Sequence, residues 1–223
     1  AKRPVIVFIL GGGLVSGGAN CEIYDGEGLA VHGAVVVTIN YRLGILGYLA
    51  HPALAAESAN KVSGNYGLLD QIAALEWVKR NISAFGGDPS NVTIQGQSAG
   101  SSSVSALLLS PLAKGLFQRA ICQSFNLIEG NPIPTMDYVM SKAKEWLIKN
   151  VNQVLHLSEL SAAELRALPP EALLNANYPT SLVLDGFALP ANMMDTLKKG
   201  AQNDVPLLTG MVSGDAPLLA MLF

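Results

Sequence analysis

Five short apolar runs punctuate the chain: PVIVFIL (4–10), AVVVTIN (34–40), NVTIQG (91–96), RAICQS (119–124) and VPLLTG (205–210). They are rich in β-branched residues, and several are apolar at consecutive positions, the pattern of strands buried on both faces of a parallel sheet. Between them the period changes. In GLLDQIAALEWVKRNI, the residues Leu68, Leu69, Ile72, Leu75 and Val78 share one helical face, Glu76 and Arg80 form an i,i+4 pair, and FGGDPS supplies the stop. SSVSALLLSP predicts a second helix ended by Pro111, and MDYVMSKAKEWLIKNV a third. Strands alternating with helices predict an α/β fold, a doubly wound, mostly parallel central sheet flanked by helices, with its ligand at the carboxyl ends of the strands. No repeat or linker divides the 223 residues, so a single domain spanning 1–223 is expected.

Composition sharpens this picture. Hydrophobic residues make up 50 % of the chain and charged ones 14 %, against roughly 25 % charged in an ordinary globular domain. A net charge of −3 with scattered signs offers no basic patch for nucleic acid. No apolar run reaches the roughly 18 residues of a membrane span. The opening AKRPVIVFIL is followed by glycines and not by a cleavage site, so it reads as a strand. Cys21 and Cys122 fit neither a metal-ligand spacing nor a disulfide framework, and both read as buried thiols. Neither a metal nor an organic cofactor is implied.

The candidate chemistry lies in TIQGQSAGSSSV. Gly-Gln-Ser-Ala-Gly fits G-x-S-x-G between a predicted strand and a predicted helix, the context in which that motif carries a nucleophile. Gly96 and Gly100 lack the Cβ atoms that would clash in so sharp a turn, which exposes the Ser98 hydroxyl and puts the Ala99 N–H at a helix start, where it can donate to an oxyanion. A glycine-flanked serine in an ordinary β–α loop is the competing reading. The glycine run of ILGGGLVSG, directly after the first strand, supplies further main-chain donors, Gly12 and Gly13. It lacks the lysine and hydroxyl of a phosphate-binding loop and the spacing of a dinucleotide fingerprint.

Together, PVIVFILGGGLVSG, YDGEGLA, VVVTINYRLGILGYLAHPALAAES, GNYGLLDQIAALEWVKRNISAFGGDPSNVTIQGQSAG and SPLAKGLFQRAICQS resemble the type-B carboxylesterases, the branch of the α/β-hydrolase fold that also contains the cholinesterases. The resemblance covers almost the whole chain and is closest from Pro4 to Ser124. It implies hydrolysis of small-molecule carboxylic esters through an acyl-enzyme on Ser98, with Gly12, Gly13 and Ala99 as oxyanion donors. It also places Asp215, after VPLLTG, where the family carries the triad acid, usually a glutamate. Leu14, Gln97 and Phe125 are its candidate pocket residues.

Against the family pattern, Leu10 stands where histidine is common, Leu14 where phenylalanine is usual, Gln95 where a large apolar residue precedes the elbow, and Phe125 where glycine follows Gln-Ser. The three histidines, His32, His51 and His156, all precede Asp215, whereas the family's catalytic histidine follows the acid. The resemblance thus implies the middle of a domain cut short at both ends, with uncovered apolar surface prone to self-association. The alternative function is a catalytically impaired or non-enzymatic, cholinesterase-like binding protein lacking that histidine.

Overall fold

The computed structural model describes residues 2–124, 133–151, 160–174 and 178–215. Each apolar run becomes a strand: β1 (Arg3–Ile9), β2 (Val35–Ile39), β3 (Gly87–Gln97), β4 (Arg119–Gln123) and β5 (Leu207–Gly210). Neighbours pair in parallel in the order β2-β1-β3-β4-β5. The chain thus moves outward from β1 to β2, then returns past β1 to build β3, β4 and β5 on the other side. Strand order reverses between β1 and β3, and in open parallel sheets the crevice outside the carboxyl ends at such a reversal is where ligands bind.

The helices are α1 (Glu27–Ala30), α2 (Gly44–Tyr48), α3 (Pro52–Glu57), α4 (Tyr66–Asn81), α5 (Ala99–Leu109), α6 (Met136–Asn150), α7 (Ala162–Ala167), α8 (Pro170–Leu174) and α9 (Met193–Lys198). In α4, Gly67, Leu68, Gln71, Ile72, Leu75 and Val78 form the buried face, and Lys79 and Arg80 lie in the last turn, where cations favour the helix dipole. Glu76 and Arg80 pair at 3.5 Å, as their spacing predicts. A 3-10 turn, Ile82–Phe85, closes on Gly86 at φ 81°, a left-handed stop that glycine adopts without strain.

Three expectations change. First, β3 begins at Gly87, four residues before the run that predicts it. Arg3 pairs with Gly87 and Val5 with Val92, so a register shift absorbs the turn-like Asp88–Asn91, whose Asp88 carboxylate accepts the Ser90 N–H at 3.0 Å. Second, the helical run read from Ser102 extends back to Ala99, where the elbow reading puts the helix start, because the turn delivers the chain directly into helical conformation. Third, among the described residues only β1, β3 and β4 have a buried face, and each has it on one side of the sheet only. Val5, Val7, Ile9, Val92, Ile94, Ala120 and Cys122 are buried, whereas Ile6, Phe8, Gln95 and Ile121 on the opposite face are half-buried, and β5 is exposed throughout. α4 and α5 cover the first face. The second is partly covered at β1 and β2 by the segment leading into α1, where the Tyr24 ring meets Phe8 at 5.3 Å.

Cys21 also departs from its reading. It is exposed in the loop before α1, whereas Cys122 is buried, its Sγ 3.7 Å from the Ser105 Oγ. A separate apolar cluster joins α6 to α2 and the segments after it through Ile45, Leu49, Trp146, Leu147 and Tyr178, the last two aromatic rings meeting edge-on. Among the described residues, no helix is long and apolar enough to cross a membrane.

Candidate active site

Ser98 sits at the end of β3 with φ 55° and ψ −124°, a backbone conformation that costs a non-glycine residue energy and persists only where its surroundings fix it. They do so on three sides. Its N–H donates to the Gln123 carbonyl of β4 at 3.0 Å, and its carbonyl accepts the Ser102 N–H at 3.0 Å inside the first turn of α5. The flanking glycines let helix and strands close on one another. A Cβ at Gly96 would lie 2.3 Å from the Gly100 oxygen, and one at Gly100 would lie 2.1 Å from the Ile9 oxygen. The Ser98 side chain is half-buried, at the carboxyl edge of the sheet.

The glycine loop leaves the neighbouring strand β1 at the same edge. Gly11 rests against the elbow: a Cβ there would fall 2.6 Å from the Gln97 oxygen and 3.3 Å from the Ser98 Cβ. Gly12 (φ 104°), Gly13 (φ 65°) and Leu14 (φ 62°) then turn through left-handed conformations. The Gly12 carbonyl accepts the N–H groups of Val15 (3.0 Å) and Ser16 (3.1 Å), so the turn is bonded through its carbonyl side. Among the described residues no carbonyl takes the Gly12 or Gly13 N–H. Ala99, the first residue of α5, likewise has an N–H without an intrahelical partner.

Asp215 follows β5, which is separated from β3 by β4 in the sheet. The strands are parallel, so its loop emerges at the same edge as Ser98. The Asp215 N–H donates to the Val212 carbonyl (3.0 Å) and its Oδ2 accepts the Val212 N–H (3.2 Å), a closed turn that holds the carboxylate half-buried. The Ser124 N–H donates to Gly210 at 2.8 Å, so the end of β4 that fixes the serine also anchors the strand that leads to the aspartate.

Of the candidate pocket residues, Gln97 is exposed beside Ser98, while Leu14 is buried in the main core with its carbonyl accepting the Gly44 N–H at 2.7 Å. Phe125 lies outside the described residues. Next to Leu14, Val15 opens onto a cavity of about 510 Å³ lined also by Tyr41, Leu43, Ile45, Leu173 and Tyr178.

The histidines are placed elsewhere. His32 is exposed in the turn that precedes β2, at the amino edge of the sheet. His51 is buried and caps α3: its Nδ1 accepts the Ala53 N–H at 3.2 Å, and its own N–H donates to Ser63 Oγ at 3.0 Å. Burial, with Lys144 nearby, holds its imidazole below the ordinary value. His156 lies outside the described residues.

A set of buried polar residues behind the glycine loop escaped the sequence reading. Tyr41 donates its hydroxyl to the Leu10 carbonyl at 2.8 Å, and Gln71 Nε2 donates to Ser103 Oγ at 3.0 Å. Gln71 carried the available signal: a glutamine at a core position of α4, between Leu68 and Leu75, demands a polar partner.

The family described as "Carboxylesterase family" matches residues 1–222. A fumonisin B1 esterase of Sphingopyxis macrogoltabida is 43 % identical over 93 % of this chain and 38 % of its own length. A para-nitrobenzyl esterase of Bacillus subtilis (strain 168) is 41 % identical over 93 % of this chain and 42 % of its own. Among solved structures, a Geobacillus stearothermophilus carboxylesterase superimposes with a TM-score of 0.85 at 37 % identity, covering 99 % of this chain and 48 % of that one. The chain therefore spans less than half the length of these relatives.

Proposed function

This chain belongs to the carboxylesterase family, and from that premise we propose that it hydrolyses carboxylic esters through an acyl-enzyme formed on Ser98. The observation that carries the proposal is the Ser98 backbone at φ 55° and ψ −124°, strain retained at a turn that holds one hydroxyl at the strand-order reversal, beside two glycine N–H groups without acceptors among the described residues.

The Ser98 Oγ attacks the ester carbonyl while its proton passes to a histidine base. Neither His32, at the opposite edge, nor His51, committed to its cap, is placed for that role. Asp215 orients the base and stabilises the imidazolium that forms. Charge developing on the carbonyl oxygen is taken up by the N–H groups of Gly12, Gly13 and Ala99, donors already fixed by backbone structure, so no reorganisation accompanies the reaction. Collapse of the tetrahedral intermediate expels the alcohol, and water then releases the acid by the same steps. The cavity beside Val15 is lined mostly by aliphatic and aromatic side chains, with Arg42 among them, which favours an ester with a hydrocarbon portion. The relatives named as a para-nitrobenzyl esterase and a fumonisin B1 esterase make para-nitrobenzyl esters and fumonisin B1 suitable first substrates.

A fluorophosphonate probe followed by peptide mapping tests the nucleophile. Stoichiometric label on Ser98, with p-nitrophenyl ester turnover lost in Ser98→Ala, is the expected result. Turnover that survives Ser98→Ala would remove the mechanism.

A further inference from the structure

Gly12 and Gly13 can serve an oxyanion only if the peptide that leads into them is held. Strand pairing ends at Ile9, so it cannot hold the Leu10–Gly11 peptide. Leu10 is buried, so its carbonyl needs an internal partner. That partner is the Tyr41 hydroxyl, 2.8 Å away, on a residue two positions beyond β2. On its other side the same peptide meets α5, since a Cβ at Gly100 would approach the Leu10 carbonyl carbon to 3.0 Å. The peptide is thus clamped between a phenol and the helix that starts at Ser98.

Buried polar groups lie behind the phenol. Ser103 Oγ accepts from Gln71 Nε2 at 3.0 Å. Burial raises the Tyr41 pKa and the Ser103 hydroxyl lowers it, the effect of a polar group that faces the phenol oxygen. Gln71 and Ser103 are fully buried, and Tyr41 nearly so. A serine oxygen that accepts the amide proton is free to donate its own.

We infer that Tyr41 is a positioning residue for the oxyanion loop: its hydroxyl, oriented by Ser103 and Gln71, fixes the Leu10 carbonyl so that the Gly12 and Gly13 N–H groups point at the substrate oxygen. The inference rests on the ester-hydrolase reading for its kinetic consequence. Its structural consequence stands independently. Tyr41→Phe removes one oxygen and keeps the ring, and Ser103→Ala removes the donor to that oxygen without touching the loop.

The test combines p-nitrophenyl ester kinetics with hydrogen exchange of the Val15 and Ser16 amides, which donate to the Gly12 carbonyl and close the loop, on the full chain and its variants. Losing a whole oxyanion donor costs about 10²–10³ in kcat, so loosening two donors without deleting either is expected to lower kcat about tenfold with KM within about twofold. Exchange of the Val15 and Ser16 amides should accelerate in Tyr41→Phe by a similar factor. Ser103→Ala should show the same signature more weakly, and the double variant should match Tyr41→Phe alone, since Ser103 acts only through the phenol. Equal kcat in Tyr41→Phe and the parent, a rise confined to KM, or additive effects in the double variant would overturn the inference. If the parent shows no Ser98-dependent turnover, the hydrolase reading fails and the exchange measurement alone decides: unchanged protection of the Val15 and Ser16 amides in Tyr41→Phe refutes the clamp, and lost protection upholds it.

Discussion

Replacing Gly100 with alanine puts the elbow geometry under a direct load. The added Cβ would lie 2.1 Å from the Ile9 oxygen and 3.0 Å from the carbonyl carbons of Ile9 and Leu10, whereas real Cβ atoms stay beyond 3.0 Å. Every clashing atom is backbone, so no side chain can swing aside. Either α5 lifts from β1 or β1 shifts in the sheet, by about 1 Å in each case, and overpacking of this kind costs about 1–3 kcal/mol. The displaced helix carries the Ala99 N–H and pulls Ser98 from Gly11, and a misplacement of about 1 Å can cost about 10²-fold in rate. Gly28→Ala is the matched control. That glycine lies within α1 with no heavy atom within 4 Å of its added Cβ, so a gain of about 0.5–1 kcal/mol is expected. Urea unfolding midpoints and the rate constant for fluorophosphonate labelling of Ser98 give the two readouts. If Gly100→Ala unfolds at the parent's midpoint and labels at the parent's rate, the close approach of helix and strand plays no part in holding the nucleophile.

Two further outcomes follow from single side chains. Asp215→Asn should lower kcat by about 10⁴, the scale on which a triad acid acts through the tautomer of its histidine, while Asp215→Glu retains activity; near-parental turnover in Asp215→Asn would return that carboxylate to a purely local role in closing its turn on Val212. His51 is held below its ordinary pKa by burial and then by Lys144, and its Nδ1 must stay unprotonated to accept the Ala53 N–H. The unfolded chain therefore binds more protons as pH falls below about 6.5, and the stability His51 contributes is complete above that value and declines toward the lower folded-state pKa. His51→Asn keeps a capping side chain that does not titrate, so its unfolding midpoint should fall less than the parent's between pH 7 and pH 5; parallel curves would exclude His51 as a source of the acid sensitivity.

The parts of this fold that could be read from the sequence are those whose reason is local. β-branched runs specify strands because they suit a pleated, buried surface, and the five runs become the five strands among the described residues. Gly96 and Gly100 are intelligible from sequence because a strand that turns directly into a helix leaves no room for Cβ. The short helices α2, α3 and α7 to α9 were not legible, for they are one or two turns long and too brief for a 3.6-residue period to register. Half-burial of the second sheet face was also hidden, since an apolar run records what a strand can tolerate and not which elements cover it.

The polar relay behind the loop shows a different limit. Tyr41, Gln71 and Ser103 follow one another at intervals of about 30 residues in the chain, on a strand exit and two helices, and no motif links them. They meet because the strand order carries β2, which precedes Tyr41, back beside β1, while α4 and α5 pack together over the same face of the sheet. The Leu10 carbonyl is the point of convergence: it ends the strand that pairs with both β2 and β3, so it lies within reach of the residue after one and the helix after the other. A parallel sheet whose order reverses at β1 therefore brings three things to a single edge: a strained serine, glycine-loop amides without acceptors among the described residues, and the buried hydroxyl that donates to the Leu10 carbonyl. The first two announce themselves as glycine-rich sequence, whereas the third is a tyrosine between Asn40 and Arg42 that only the sheet's connectivity makes chemically relevant.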